Sequence, residues 1–211
     1  MIIAVTGDKG GAGKTTTAIH IATYFQQLAP TVLIDADVNR SARFWASRGS
    51  LPFECVDERQ AVKVAPNFVH KVLDTETSES EDDLKELVSG CDLLILPIPP
   101  EPLGVNALKS TAESMRRFVA TNWRVLLTMV STHPQSKDAE EVYQLLNAQE
   151  IPVFQTRIRF YRAAYTKASG LGVPVYASKD QYSKIAWSDY QKLGAEIERI
   201  YGEVFGHIQL F

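Results

Sequence analysis

Cysteine is scarce in this sequence, with only Cys55 and Cys91 in 211 residues. The two stand far apart at no metal-ligand spacing, and both are expected as buried thiols in a reducing cytoplasm. Long apolar runs are missing too. None approaches the ~20 residues that a membrane-spanning helix requires. No basic segment precedes an apolar one at the N-terminus, so a signal peptide is not expected. No linker rich in Pro, Gly or Ser interrupts the apolar segments, and there is no internal repeat or low-complexity tract. One domain over residues 1–211 is therefore expected. With 45% hydrophobic residues, a chain of this length should bury about 70% of its unfolded surface. Nor is there an excess of positive charge. A formal net charge of −3 argues against wholesale attraction to nucleic acid.

What is present centres on Lys9-Gly10-Gly11-Ala12-Gly13-Lys14-Thr15-Thr16. An apolar run, Ile2 to Val5, precedes it, and a helical pattern, Thr17 to Ala22, follows. Strand, glycine-rich loop and helix form the setting of a phosphate-binding loop. The glycines let the backbone curl so that several N–H groups converge, and the helix adds its positive dipole end. Lys14 can neutralise β- and γ-phosphate charge, while the Thr15 hydroxyl can ligate Mg²⁺. One residue breaks the general pattern. Asp8 stands where the first glycine of G-x-x-x-x-G-K-[ST] belongs, and an acid beside a phosphate is electrostatically unexpected.

With Lys9 ahead of the glycines, the loop resembles the deviant Walker A loop of the ParA/MinD family. The resemblance implies a phosphate cradle of Asp8, Lys9, Gly10, Gly11, Ala12, Gly13, Lys14, Thr15 and Thr16. It also implies that Lys9 reaches across a dimer interface to the partner's nucleotide. Further along, Thr31 to Asp37 reads as a buried strand ending in two carboxylates. Ligands of open parallel sheets bind at the carboxyl ends of strands. The family has its Walker A′ acids in this setting, which implies that Asp37 orients the attacking water and Asp35 supports the Mg²⁺ shell. Val38 follows where proline is usual. A plainer alternative is a surface Asp pair capping the next helix. Asn67 to Thr75 sits where the family has its Walker B strand, so Asp74 is implied on the metal side. His70 and Lys71 interrupt that apolar run, and Glu76 replaces a common proline. His70 is expected at the surface as the strand begins.

The rest of the chain alternates strand and helix. Residues 46–66 hold a short helix and a candidate strand at Phe53 to Val56. Ser78 to Ser89 is a helix with Leu84, Leu87 and Val88 on one face, and Asp92 to Pro102 is a central strand with a proline-rich exit. A helix over Leu103 to Val119, a strand over Trp123 to Ser131 and a helix over Lys137 to Gln149 follow. Near the end of that strand the family often has an asparagine that reads adenine, but Ser131, Thr132 and His133 stand here. An extended segment from Ile151 to Ile158 comes next. Residues 157–175 then resemble the family's I-x-x-R, small-residue helix and G-x-x-V pattern. Gln181 to Val204 closes the chain as a helix. Alternation of this kind predicts an α/β fold, a three-layer, mostly parallel twisted sheet with helices on both faces, as in P-loop NTPases. The tail after Val204 has no lysine or arginine, so the basic lipid-binding helix of MinD-type proteins is not expected.

Charge is unevenly spread. Residues 151–199 hold eight basic residues (Arg157, Arg159, Arg162, Lys167, Lys179, Lys184, Lys192, Arg199) against four acids (Asp180, Asp189, Glu196, Glu198), a local +4. The resemblance implies a partition-type ATPase that binds ATP and Mg²⁺ and forms a homodimer in the ATP state. It further implies a ParB-like or cargo-adaptor activator and a cytoplasmic, nucleoid-associated location. Non-specific DNA would then be met by Arg157, Arg159, Arg162, Lys167, Lys184 and Lys192. Three alternatives stay open: a biosynthetic ligase of the dethiobiotin-synthetase type, a MinD-like membrane regulator, and an iron–sulfur carrier of the nitrogenase iron-protein type. Lys9 speaks against the first, the tail against the second, and the cysteine spacing against the third.

Overall fold

β1 (Ile2–Val5) is apolar at every position because both its faces are covered. Ile3 and Val5 point into one core cluster and Ala4 into the other, so the alternation of the strand divides the molecule into two sides. The computed structural model describes residues 1–7, 10–75 and 80–205. The acidic and apolar residues at 76–79 and 206–211 lie outside that description.

β1 runs through the phosphate loop into α1 (Lys14–Gln26), and then come β2 (Thr31–Ala36), α2 (Ser41–Ser47), β3 (Glu54–Asp57) and α3 (Glu58–Val64). β4 (His70–Thr75), α4 (Glu81–Gly90), β5 (Leu93–Ile98) and α5 (Pro102–Arg117) continue the alternation. β6 (Trp123–Val130), α6 (Asp138–Ala148), β7 (Val153–Arg159), α7 (Arg162–Leu171) and α8 (Ser183–Phe205) complete it. The seven strands pair in the order β3-β2-β4-β1-β5-β6-β7, and every pair is parallel. Helices α1, α2, α7 and α8 supply residues to the first cluster, and α4, α5 and α6 to the second. The expected three-layer α/β sandwich is what the chain forms.

Most boundaries shift by one to three residues from the sequence reading; α4, for example, begins at Glu81 and α8 at Ser183. α1 ends at Gln26, and Leu28 beyond it is 54% exposed. The edge strand begins at Glu54, one residue after Phe53, and Asp57 starts α3 through a capping box with Gln60. Cys91 is buried as expected, while Cys55 is only partly so. Among the described residues no helix is long and apolar enough to cross a membrane.

The edge at β7 is irregular. Between the pairs Val125↔Val153 and Leu127↔Arg157 the strand carries two extra residues relative to β6. The N–H groups of Gln155 and Thr156 in this bulge donate to Glu196 of α8 at 2.8 and 2.9 Å, and that of Arg159 to Asp189 at 3.1 Å. Two carboxylates seven residues apart on one helix thus occupy donors that an edge strand would otherwise leave open.

Candidate functional site

Register builds the site. Val5, the last residue of β1, pairs with Asp74, and Asp74 pairs in turn with Asp35 of β2. Three parallel strands therefore bring the phosphate loop and two carboxylates to one end of the sheet. Left-handed φ angles of 84° and 88° at Gly11 and Gly13 form the loop; a side chain there would be strained. The Lys14 ammonium bends back and donates to the Gly7 carbonyl at 3.1 Å. Thr128 of β6, absent from the sequence reading, donates its hydroxyl to the Ala12 carbonyl at 2.8 Å. A Cβ on Gly13 would stand 3.9 Å from Thr128. Nothing local marks Thr128, because the tether is made across the sheet.

The acids divide by environment. Asp74 has no solvent exposure, and both its carboxylate oxygens lack a hydrogen-bond partner. Burial pushes its pKa up to about 7; the nearby Thr15 hydroxyl pulls the other way without closing a hydrogen bond of good geometry. Asp35 is 3% exposed and accepts from the N–H groups of Arg43 at 2.8 Å and Asp37 at 3.2 Å. Its pKa is raised, chiefly by burial. The bond to Arg43 supplies the N-terminal cap of α2, whose own N-cap, Arg40, offers none. Capping, from the plainer of the two sequence readings, is thus part of what Asp35 does, but from a buried position and not as a surface pair. Asp37 lies just past β2, where its Oδ1 accepts from both the backbone and the side-chain nitrogen of Asn39, at 2.7 and 3.0 Å.

A cleft of about 680 Å³ opens between these elements. Gly11, Gly13, Lys14, Thr15 and Thr16 line its phosphate end, and Asp37, Phe44 and Arg48 with Thr166, Ser169 and Gly170 of α7 complete the lining. Phe44 is 62% exposed with the Arg48 guanidinium 4.9 Å over its ring. Met129 also lines the cleft, with a left-handed φ of 54°. It is the extra residue of β6 between the pairs Leu127↔Arg157 and Val130↔Arg159. A strained non-glycine residue at a cleft mouth fits a backbone bent for function.

Asp8 and Lys9 lie outside the described residues. Among the described ones, no three His, Cys, Asp or Glu side chains cluster as a metal cage. Mg²⁺ does not need one. It takes one or two carboxylates with phosphate oxygens and water, and the unpartnered Asp74 oxygens near Thr15 suit that arrangement.

The six basic candidates separate. Arg157 pairs with Glu140 at 2.6 Å, Arg159 with Asp189 at 2.6 Å, and Lys167 with Asp180 at 2.8 Å. Arg162, Lys184 and Lys192 are exposed and make no ion pair among the described residues. A second cleft of about 790 Å³ beside β7 and α8 is lined by Arg157, Arg159, Lys192 and Arg199 with Asp189 and Glu196.

Comparison with known proteins follows the same lines. Residues 3–175 match the CobQ/CobB/MinD/ParA nucleotide binding domain. The maintenance of carboxysome distribution protein A of Gloeobacter kilaueensis is 32% identical over 206 residues, covering 94% of each chain. Protein ParA of Rhizobium radiobacter is 26% identical, covering 88% of this chain and 89% of its own. In fold, the Cyanothece McdA–ATP complex superposes with a TM-score of 0.73 at 16% identity, over 93% of this chain and 96% of that one. With the family's nucleotide-binding domain matched over most of its length, this chain belongs to the ParA/MinD family of P-loop ATPases.

Proposed function

We propose that this chain is an ATP-dependent switch that positions a cargo. Two protomers close over two molecules of Mg-ATP, and the closed dimer binds DNA without reading sequence. A ParB-like or cargo-adaptor protein then stimulates hydrolysis, and the halves separate. The protein would work in the cytoplasm on the nucleoid. The observation that carries this reading is the buried, unpartnered Asp74 beside Thr15 at the foot of the phosphate loop. It sits in a chain similar over 94% of its length to a protein named for carboxysome distribution.

The residues divide the work by position. Lys14 and the loop N–H groups hold the phosphates, and Lys9 reaches the partner's nucleotide. Thr15, Asp74 and Asp35 would hold Mg²⁺, which when bound neutralises phosphate charge. Asp37, steadied by Asn39, orients the attacking water. Phosphoryl transfer leaves little covalent chemistry to the protein, so positioning and charge neutralisation supply most of the acceleration.

The test is Lys9→Ala, compared with wild type by light scattering in ATP and in ADP. Wild type is expected to dimerise only with ATP, and the variant to stay monomeric while still folded. A variant that dimerises normally, or a wild type indifferent to nucleotide, sinks the switch.

A further inference from the structure

His20 has no solvent exposure and lies on the inner side of α1, six residues beyond Lys14. Its Nδ1 is 2.6 Å from the Thr16 carbonyl oxygen, and its Nε2 is 3.0 Å from the backbone nitrogen of Val175. A backbone N–H can only donate, so Nε2 is the acceptor. The ring proton must then sit on Nδ1, where it donates to Thr16. One neutral tautomer satisfies both bonds. Burial pushes the pKa of the ring down to about 4, which keeps it neutral near pH 7. Tyr190 stacks beneath it at 4.5 Å, and Trp45 and Tyr165 present edges at 6.0 and 5.9 Å.

The two bonds join the first turn of α1, at the phosphate end of the cleft, to the segment that follows α7. Thr16 belongs to the phosphate end, and Val175 follows α7, whose Thr166, Ser169 and Gly170 also line the cleft. The segment between them is held from α2 as well. Trp45 Nε1 donates to the Val173 carbonyl at 3.1 Å and Arg48 Nε to that of Gly170 at 3.2 Å. Gly49 and Gly172 press backbone to backbone, so close that a Cβ on Gly172 would lie 2.2 Å from the Gly49 nitrogen. The segment is therefore a strap hydrogen-bonded to α2 at Gly170 and Val173 and to α1 through the His20 side chain at Val175.

We propose that His20 is a positioning residue of the nucleotide site, fastening the strap at Val175 to the first turn of α1 and so setting the width of the cleft. It acts through Thr16 and Val175 and touches no phosphate. The inference rests on the cleft being the nucleotide site. Without the fastening, the strap moves away from the loop while Lys14, Thr15 and Asp37 keep their places. Binding weakens; the chemical step does not.

The test uses the full chain and a fluorescent ATP analogue. His20→Phe keeps the aromatic bulk and removes both hydrogen bonds. It is expected to weaken binding and raise KM roughly tenfold, the scale of losing a supporting contact behind a site, with kcat within about twofold. His20→Gln, whose amide oxygen can still accept from Val175, should recover part of the loss. His20→Ala should bind weakly until imidazole is added to fill the cavity. Nitrogen-15 spectra of the nucleotide-free wild type should show a protonated Nδ1 and a bare Nε2. Wild-type affinity in both the Phe and Gln variants, or a proton on Nε2, overturns the proposal. A wild type that does not bind the analogue instead overturns the nucleotide reading, and the proposal with it.

Discussion

The Thr128 hydroxyl donates to the Ala12 carbonyl oxygen across 2.8 Å and 116 positions of sequence. This bond ties the phosphate loop to β6, two strands away from the strand that leads into it. Both residues are buried, Thr128 at 2% and Ala12 at 4% exposure. Thr128→Val keeps the shape and leaves the Ala12 carbonyl unpaired. Such a loss costs about 1–3 kcal/mol, or a fall of roughly 2–10 °C in Tm for a chain this size. Calorimetry on Val and Ser variants decides it. Thr128→Ser should keep both stability and ATP affinity; if Ser and Val behave alike, the tether is packing and not a hydrogen bond.

Asp74 gives a pH dependence whose sign follows from burial. Its folded pKa is about 7 against 3.8 for the free group. Between those values the folded chain binds more protons than the unfolded one, so this residue makes stability fall as pH rises from about 4 to 7. Asp74→Asn removes that penalty. The nucleotide-free variant should be more stable than wild type above pH 7 by on the order of 2–4 kcal/mol, with the difference gone near pH 4. ATP hydrolysis should be lost in the same protein. Urea melts at several pH values check the first part. A variant less stable than wild type at pH 8 would show that the carboxylate has a partner there.

The parts of the molecule that could be read in advance were local. The glycines of the loop, the apolar runs of the strands and the acids that close β2 and β4 are each read from a few consecutive residues, and the strand register sets Asp35 beside Asp74 and Asp74 beside Val5. What escaped depends on distant partners. His20 looked like one more residue of a helical pattern, and only its bond to Val175, 155 positions on, reveals it. Met129 has an ordinary side chain in an unusual backbone, imposed by a register shift between β6 and β7. Glu196 passed as one of four acids in a basic segment, yet it holds two N–H groups of the β7 bulge. Basic residues could be counted but not paired, because Glu140, partner of Arg157, lies on a helix outside the segment.

The end of α5 carries avoidable strain. Ala120 N–H donates to the Met115 carbonyl and Val119 N–H to that of Arg116, at 3.0 and 3.1 Å, the two bonds of a Schellman motif. Its left-handed position is filled by Val119, with a φ of 55° and 82% exposure. A β-branched residue there costs about 1–2 kcal/mol, part of which glycine recovers. Val119→Gly should therefore stabilise the protein by about 0.5–1 kcal/mol, with ATP binding unchanged. Thermal melts read the effect directly, and a lower Tm would mean that the valine side chain packs against something that holds it.

DNA binding is testable at the residues that the fold leaves available. Arg157, Arg159 and Lys167 already neutralise Glu140, Asp189 and Asp180, so releasing them to phosphate would cost those pairs. Arg162, Lys184 and Lys192 are exposed without an ion pair among the described residues. Three phosphates engaged per protomer make six in a dimer, for which log affinity should fall with log salt at a slope near about −5. Replacing all three by Glu should abolish binding of the ATP dimer to DNA of any sequence. The same change at Arg157 alone should weaken it by less, while disturbing its contact with Tyr143 at 4.9 Å. Titrations of labelled duplex at several salt concentrations, with ATP and with ADP, separate these outcomes. Binding that ignores salt, or survives the triple replacement, would place the DNA surface elsewhere on the molecule or remove it from the account.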